Sequence, residues 1–240
     1  LIDINATGQT RTIELNLILY LFLFFALISI LSVIFITVFI LIEGAPLFKH
    51  VGFFEFLTSS EWDPTGDPPS FGILAFIVGS FFVTGISLVI AVPIGLLVGI
   101  FMAEMAKGAA ARIIRSGVEL LAGIPSVIYG LFGFFFIAPI IRNVSQSNTG
   151  LGVLTASIVL SIMILPTIIN ITEVSIRAVP EELKEGSLAL GATHWQTISR
   201  TLVPAARSGI IAGIILGIGR SIGETMAVLM VAGNSPIMPD

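Results

Sequence analysis

The sequence predicts an all-α membrane protein, one bundle of five apolar spans. The first observation is composition: 55% of the 240 residues are hydrophobic and 11% charged, with mean hydropathy +1.06. Soluble domains carry about 25% charged residues. The second is clustering. Apolar residues gather into runs of the roughly 20 residues needed to cross a hydrocarbon layer: residues 17–42, 71–103, 120–141, 151–171 and 209–232. The third is the distribution of Lys and Arg between the runs, which sets orientation.

The first run is too long for a signal-peptide core and lacks a small-residue cleavage site, so it reads as a retained anchor. The sequence opens on Leu1 rather than Met, as if its true start were missing. The second run holds Pro93. At about 1.5 Å per residue it overshoots a core about 30 Å thick, so it must tilt, extend into water or break. Pro125 and Pro139 fall in the third run and Pro166 in the fourth. Each proline removes a backbone donor and favours a kink.

Arg11, Lys107, Arg112, Arg115, Arg177, Lys184, Arg200 and Arg207 fall on one side of the predicted membrane, and Lys49 and Arg142 on the other. The bias places the N-terminus and the connection 173–208 in the cytoplasm. Residues 43–70, with the turn-rich "EWDPTGDPPS", then form an extracytoplasmic loop with at most a short helix. Near the spans, Glu104 and Glu119 are expected to pair with Lys107 and Arg115. Trp62 and Trp195 suit headgroup anchoring, and Tyr129 beside Gly130 suits packing.

Several classes are excluded. A net charge of −4 gives no basic patch for nucleic acid. Cysteine is absent, and His50 and His194 lie in different loops, so no metal or redox site is expected. The chain carries no phosphate-loop motif for ATP, no intramembrane catalytic pair and no sign of a cofactor.

The connection 173–208 is long for a bundle. Pro180 opens a helix with Glu181 and Glu182 in its first turn, where the dipole favours acids. Leu183, Leu188 and Leu190 give it an apolar side. Gly191 interrupts, and a second segment runs from Thr193 to Leu202 and stops at Pro204.

The last run contains "GIGRSIGETM". On a continuous helix Gly209, Gly213, Gly217, Ser221 and Thr225 form one stripe of small residues, and Gly219, Gly223 and Ala227 a second. Such stripes admit another helix closely. Arg220 and Glu224 form a third row. An intramembrane charge costs roughly 2.5–3.5 kcal/mol on insertion scales, a cost that pairing of the two would lower, so they are expected to pair.

"EGSLALGATHWQTISRTLVP" resembles the EAA loop of type I ABC-importer permeases, matching at Glu185, Gly186, Ser187, Gly191, Leu202 and Pro204. Gly186 and Ser187 replace the family's two alanines. "LAGIPSVIYG", "FLTSSEWDP", "VPIGLLVGIF" and "GRSIGETMAVLMVAGN" are similar to the phosphate-specific Pst permeases, of the PstC type. The resemblance implies a type I permease bundle in a cell inner membrane, coupled to a cytoplasmic ATPase through Glu185, Gly186, Ser187, Gly191 and Pro204. It implies a second, PstA-like permease subunit, two ATPase subunits and an extracytoplasmic phosphate-binding protein. Arg220, Glu224, Ser221 and Thr225 become the expected phosphate path: arginine's fork matches phosphate oxygens, and Glu224 limits how tightly the anion is held. The family has six spans, so the sixth is expected to be missing beyond Asp240. An importer for another oxyanion such as molybdate, or a membrane scaffold or sensor of phosphate status, are the alternatives.

Overall fold

A computed structural model describes residues 4–49, 51–145, 148–233 and 238. By internal contacts the chain falls into two units, residues 1–58 and 59–240.

The first unit is a long helix, α1 (Ile4–Gly44), continued by a 3-10 turn (Ala45–Lys49) and the short α2 (Phe53–Thr58). Every side chain from Ile18 to Gly44 is exposed. A helix apolar on all sides finds its solvent in lipid or other protein, and Ile18–Lys49 is long enough to cross a membrane. Ser32 and Thr37 return their hydroxyls to the carbonyls of Ile28 and Val33, at 2.8 Å each, so neither presents an unpaired donor to hydrocarbon.

The second unit opens with a two-residue antiparallel ladder, β1 (Trp62–Asp63) on β2 (Ser70–Phe71). The helices α3 (Leu74–Glu104), α4 (Gly108–Gly123), α5 (Ser126–Phe132), a π turn (Gly133–Ile137), α6 (Ala138–Ser145) and α7 (Val153–Arg177) follow. Then come α8 (Glu181–Ala189), α9 (His194–Thr197), a second π turn (Ile198–Leu202), α10 (Val203–Ala205), α11 (Arg207–Ile222) and α12 (Met226–Val231). Besides the α1 span, Leu74–Glu104, Ser126–Ser145 and Val153–Arg177 are long and apolar enough to cross a membrane. A fifth span results if His194–Ala205 and Arg207–Ile222, bent by 70°, count as one.

The prolines play different parts. Pro93 and Pro166 lie inside unbroken helices. Pro125 kinks nothing: it holds Ile124 extended (ψ 127°) and caps α5, so the third span begins at Ser126 rather than residue 120. Pro139 and Pro204 each follow a π turn. A proline ring collides with the carbonyl four residues earlier. At both places the backbone widens to a five-residue bond, Ala138 N–H to Gly133 O and Val203 N–H to Ile198 O, and the helix continues.

The core centres on α7, which packs against α3 on one side and α11 on another. Lipid removes the usual hydrophobic drive between helices, so close van der Waals fit holds them. Ala91, Gly95 and Gly99 supply the fit on α3. A Cβ at Gly95 would come within 2.7 Å of Ile168; one at Gly99 would come within 2.7 Å of Thr172 and 2.9 Å of the Ile169 carbonyl oxygen. Gly99→Val is therefore predicted to cost about 1–3 kcal/mol by overpacking, read as a lower melting temperature in detergent. Gly186→Ala, with nothing within 4 Å of the added carbon, leaves the melt unchanged.

Candidate transport-path residues and docking loop

The glycines of α11 lie along α7. Cβ atoms at Gly209, Gly213 and Gly217 would meet Ser175 (2.2 Å), Ile171 (3.0 Å) and Ile168 (3.2 Å). One turn on, Ser221 is buried and turns to α3, 3.3 Å from the Ser87 hydroxyl and 3.5 Å from that of Thr84. The expected stripe ends there. Helix α11 stops at Ile222, and α12 starts at Met226. Thr225 is exposed, outside the stripe. Of the second stripe, Gly219 has open space around it, while Ala227 is buried against Gly130 of α5.

The same break corrects the Arg220–Glu224 row. The Glu224 carboxylate accepts the Ala227 N–H at 3.1 Å, satisfying one of the donors that a helix start leaves unpaired. Among the described residues no ion pair joins Arg220 and Glu224. Arg220 is half-buried in the last turn of α11, where the dipole favours a cation. Its Nη1 donates to Thr167 Oγ1 of α7 at 3.4 Å. A guanidinium has five N–H donors, and no described carboxylate neutralises this one. Two shallow surface grooves, about 390 Å³ beside Phe81–Val89 and about 470 Å³ along α4, do not include Arg220.

Tyr129 is buried, and its hydroxyl donates to the Leu121 carbonyl at 2.7 Å. That carbonyl lies in the last turn of α4, past the regular i+4 ladder, and also accepts the Ile124 N–H at 3.4 Å. The "LAGIPSVIYG" stretch is thus a fixed corner between α4 and α5.

In the connection after α7, the expected two segments and bend are present, but their bounds differ. Helix α7 runs to Arg177, into the segment read as loop from residue 173. Gly191 makes the bend with φ +84°, a left-handed conformation that glycine adopts freely. Thr193 caps α9 reciprocally with Gln196, through bonds of 3.3 and 2.9 Å. Pro204 does not stop the second segment; the π turn carries it to Ala205. Ile198, Leu202 and Ala206 bury against Ile176 and Ile210, so this arm is fixed to the bundle. Helix α8 has no buried residue. Glu185 and Gly186 are exposed; Ser187 bonds the hydroxyls of Thr197 (3.1 Å) and Thr201 (3.3 Å). Leu190 and Trp195 are 91% and 64% exposed, apolar surface that the fold leaves uncovered.

Sequence reasoning missed Glu173. Its side chain is 4% exposed, with Arg115 Nη2 at 2.6 Å and Arg177 Nε at 3.0 Å. Arg177 also donates to the Met102 carbonyl at 2.8 Å. Glu104 bonds Lys184 at 2.5 Å. The expected Glu104–Lys107 and Glu119–Arg115 pairs are not among the ion pairs of the described residues: Arg115 pairs instead with Glu173 of α7, and Glu104 with Lys184 of α8. The i,i+4 spacing of Glu173 and Arg177 was the available signal.

Residues 95–238 match the family of binding-protein-dependent transport system inner membrane components. The chain is 45% identical over 90% of its length to a probable ABC transporter permease protein, YqgH, of Bacillus subtilis, covering 70% of that protein. It is 40% identical over 76% of its length to the phosphate transport system permease protein PstC of Mesorhizobium japonicum, covering 61% of it. It is 35% identical over 85% of its length to PstC of Haemophilus influenzae, covering 73%. A chain of the MetNI methionine ABC transporter superposes with TM-score 0.54 at 22% identity, over 63% of this chain and 71% of that one, a likeness of fold. By sequence, this chain belongs to the binding-protein-dependent transport system inner membrane components, as a permease subunit rather than an enzyme.

Proposed function

We propose that this chain is a permease subunit of an ATP-driven phosphate importer. It forms half of the translocation path and couples to a cytoplasmic ATPase through residues 181–204. The observation that carries the reading is Arg220: a half-buried guanidinium at the end of an apolar helix, held by one hydroxyl and, among the described residues, paired with no carboxylate. Such a group suits an anion that has shed water. The likeness to phosphate transport system permeases PstC supports phosphate as that anion. A second, PstA-like permease, two ATPase subunits and an extracytoplasmic phosphate-binding protein complete the assembly.

The N-terminus lies in the cytoplasm in this reading. The ion pairs Arg115–Glu173–Arg177 and Lys184–Glu104 support it, because they draw basic residues from three separate segments to one end of the bundle, as the charge bias requires. The exposed Glu185, Gly186, Leu190 and Trp195 offer the ATPase its surface, with Gly191 and Pro204 setting the bend and the exit of the segment.

The test is uptake in proteoliposomes holding the complete importer. Labelled phosphate should accumulate with ATP, and excess unlabelled phosphate, but not molybdate, should compete. Preferential competition by molybdate would assign the chain to another oxyanion.

A further inference from the structure

We infer that the Lys184–Glu104 pair is the direct link from α8 to the membrane helix α3, beside the indirect route through the arm that Ser187 bonds. The inference rests on the reading of residues 181–204 as the docking segment. Helix α8 buries no side chain, so packing alone does not couple it to the bundle. Its side-chain polar ties among the described residues run two ways: Ser187 to the arm that follows, and Lys184 to Glu104. The second crosses to a helix 80 positions earlier in sequence.

Glu104 is the last residue of α3. A carboxylate at a helix C-terminus faces the negative end of the dipole, and this side chain is only 10% exposed. Both facts make the Lys184 ammonium its needed partner. The Lys184 side chain is 31% exposed, so the pair is shielded beyond what an ordinary surface bridge enjoys. Just before Glu104, the Met102 carbonyl is held by Arg177, which is held in turn by Glu173. A displacement of α8 therefore meets the joined ends of α3 and α7, not a frayed terminus.

Helix α3 runs without a break from Glu104 to Ser87, which touches Ser221 beside Arg220. At 1.5 Å per residue that is about 25 Å of continuous helix. The ion pair thus joins the docking segment to the helix that borders the path.

In the whole importer in proteoliposomes, Glu104→Lys and Lys184→Glu are each expected to lower phosphate transported per ATP hydrolysed roughly tenfold, with ATPase subunits still bound. The double exchange should restore the ratio to within about threefold of the parent. Glu104→Gln, which removes charge with little change of shape, should lower the ratio in the same sense and serves if the reversals fail to assemble. An unchanged ratio in all single variants, or a double exchange no better than either single, overturns the inference. So does release of the ATPase subunits by the single changes, since the pair would then shape the dock rather than transmit its motion. The docking reading has its own test: Leu190→Cys should cross-link to cysteines placed in the ATPase subunit. Absence of cross-links there rejects the dock, whatever the transport ratio does.

Discussion

Replacing Arg115 and Arg177 together by Met is expected to cost about 3–5 kcal/mol, the range for stripping partners from a buried charge. The measurement is loss of folded protein on heating in detergent. Glu173→Gln should cost markedly less, about 1–2 kcal/mol, because its two cations are not trapped. The asymmetry follows from exposure. The Glu173 side chain is 4% exposed, whereas Arg115 and Arg177 are each 51% exposed. Without the carboxylate, both guanidiniums can turn to water. Without them, the carboxylate stays buried among apolar helices, and the Met102 carbonyl loses its donor as well. A melt in which Glu173→Gln is the more damaging change would refute this account of the cluster.

Arg220→Ala is expected to lower phosphate uptake about a hundredfold or more, the order of loss when one member of a buried charged contact is removed. Arg220→Lys should fall between, roughly tenfold down, since it keeps the charge but loses the planar fork. Glu224 separates the structure from the simple helical reading. Were it the counter-ion of Arg220, Glu224→Gln would free the arginine and change uptake strongly. It caps α12 instead, and glutamine keeps an accepting oxygen, so Glu224→Gln should alter uptake less than about threefold. Glu224→Ala should cost about 1 kcal/mol of stability, as loss of a helix-start acceptor does. Near-normal uptake with Arg220→Ala in an assembled importer would remove the arginine from the path.

Some of this was legible in the residues. The apolar runs announced the spans because lipid demands long uncharged helices. The glycines at 209, 213 and 217 announced a close helix contact, and their neighbour is α7. The break after Ile222 was not legible by periodicity, since small residues continue in phase through Gly223 to Ala227. A weaker sign was present: glycine followed by Glu and Thr, residues that suit a helix start. The ionic contacts were hidden for another reason. Arg115 and Glu173 are 58 positions apart, and Lys184 and Glu104 are 80 apart. Charge bias assigns such residues to a side of the membrane but says nothing about which helix ends meet. Gly95 and Gly99 were read as part of a motif, yet their physical task, admitting Ile168 and Thr172, needed the partner helix in view.

The wide turns before Pro139 and Pro204 carry a lesson for comparing relatives. Each acts as one extra residue threaded into a helix, and a helix turns about 100° per residue. Everything downstream is rotated by that amount. Removing Phe135 alone would swing Ile137 and Ile141 off the buried cluster they share with Val159 and Met163, while the proline ring still demanded room. A relative that is one residue shorter at either place should therefore also lack the proline; gap and imino acid come and go together.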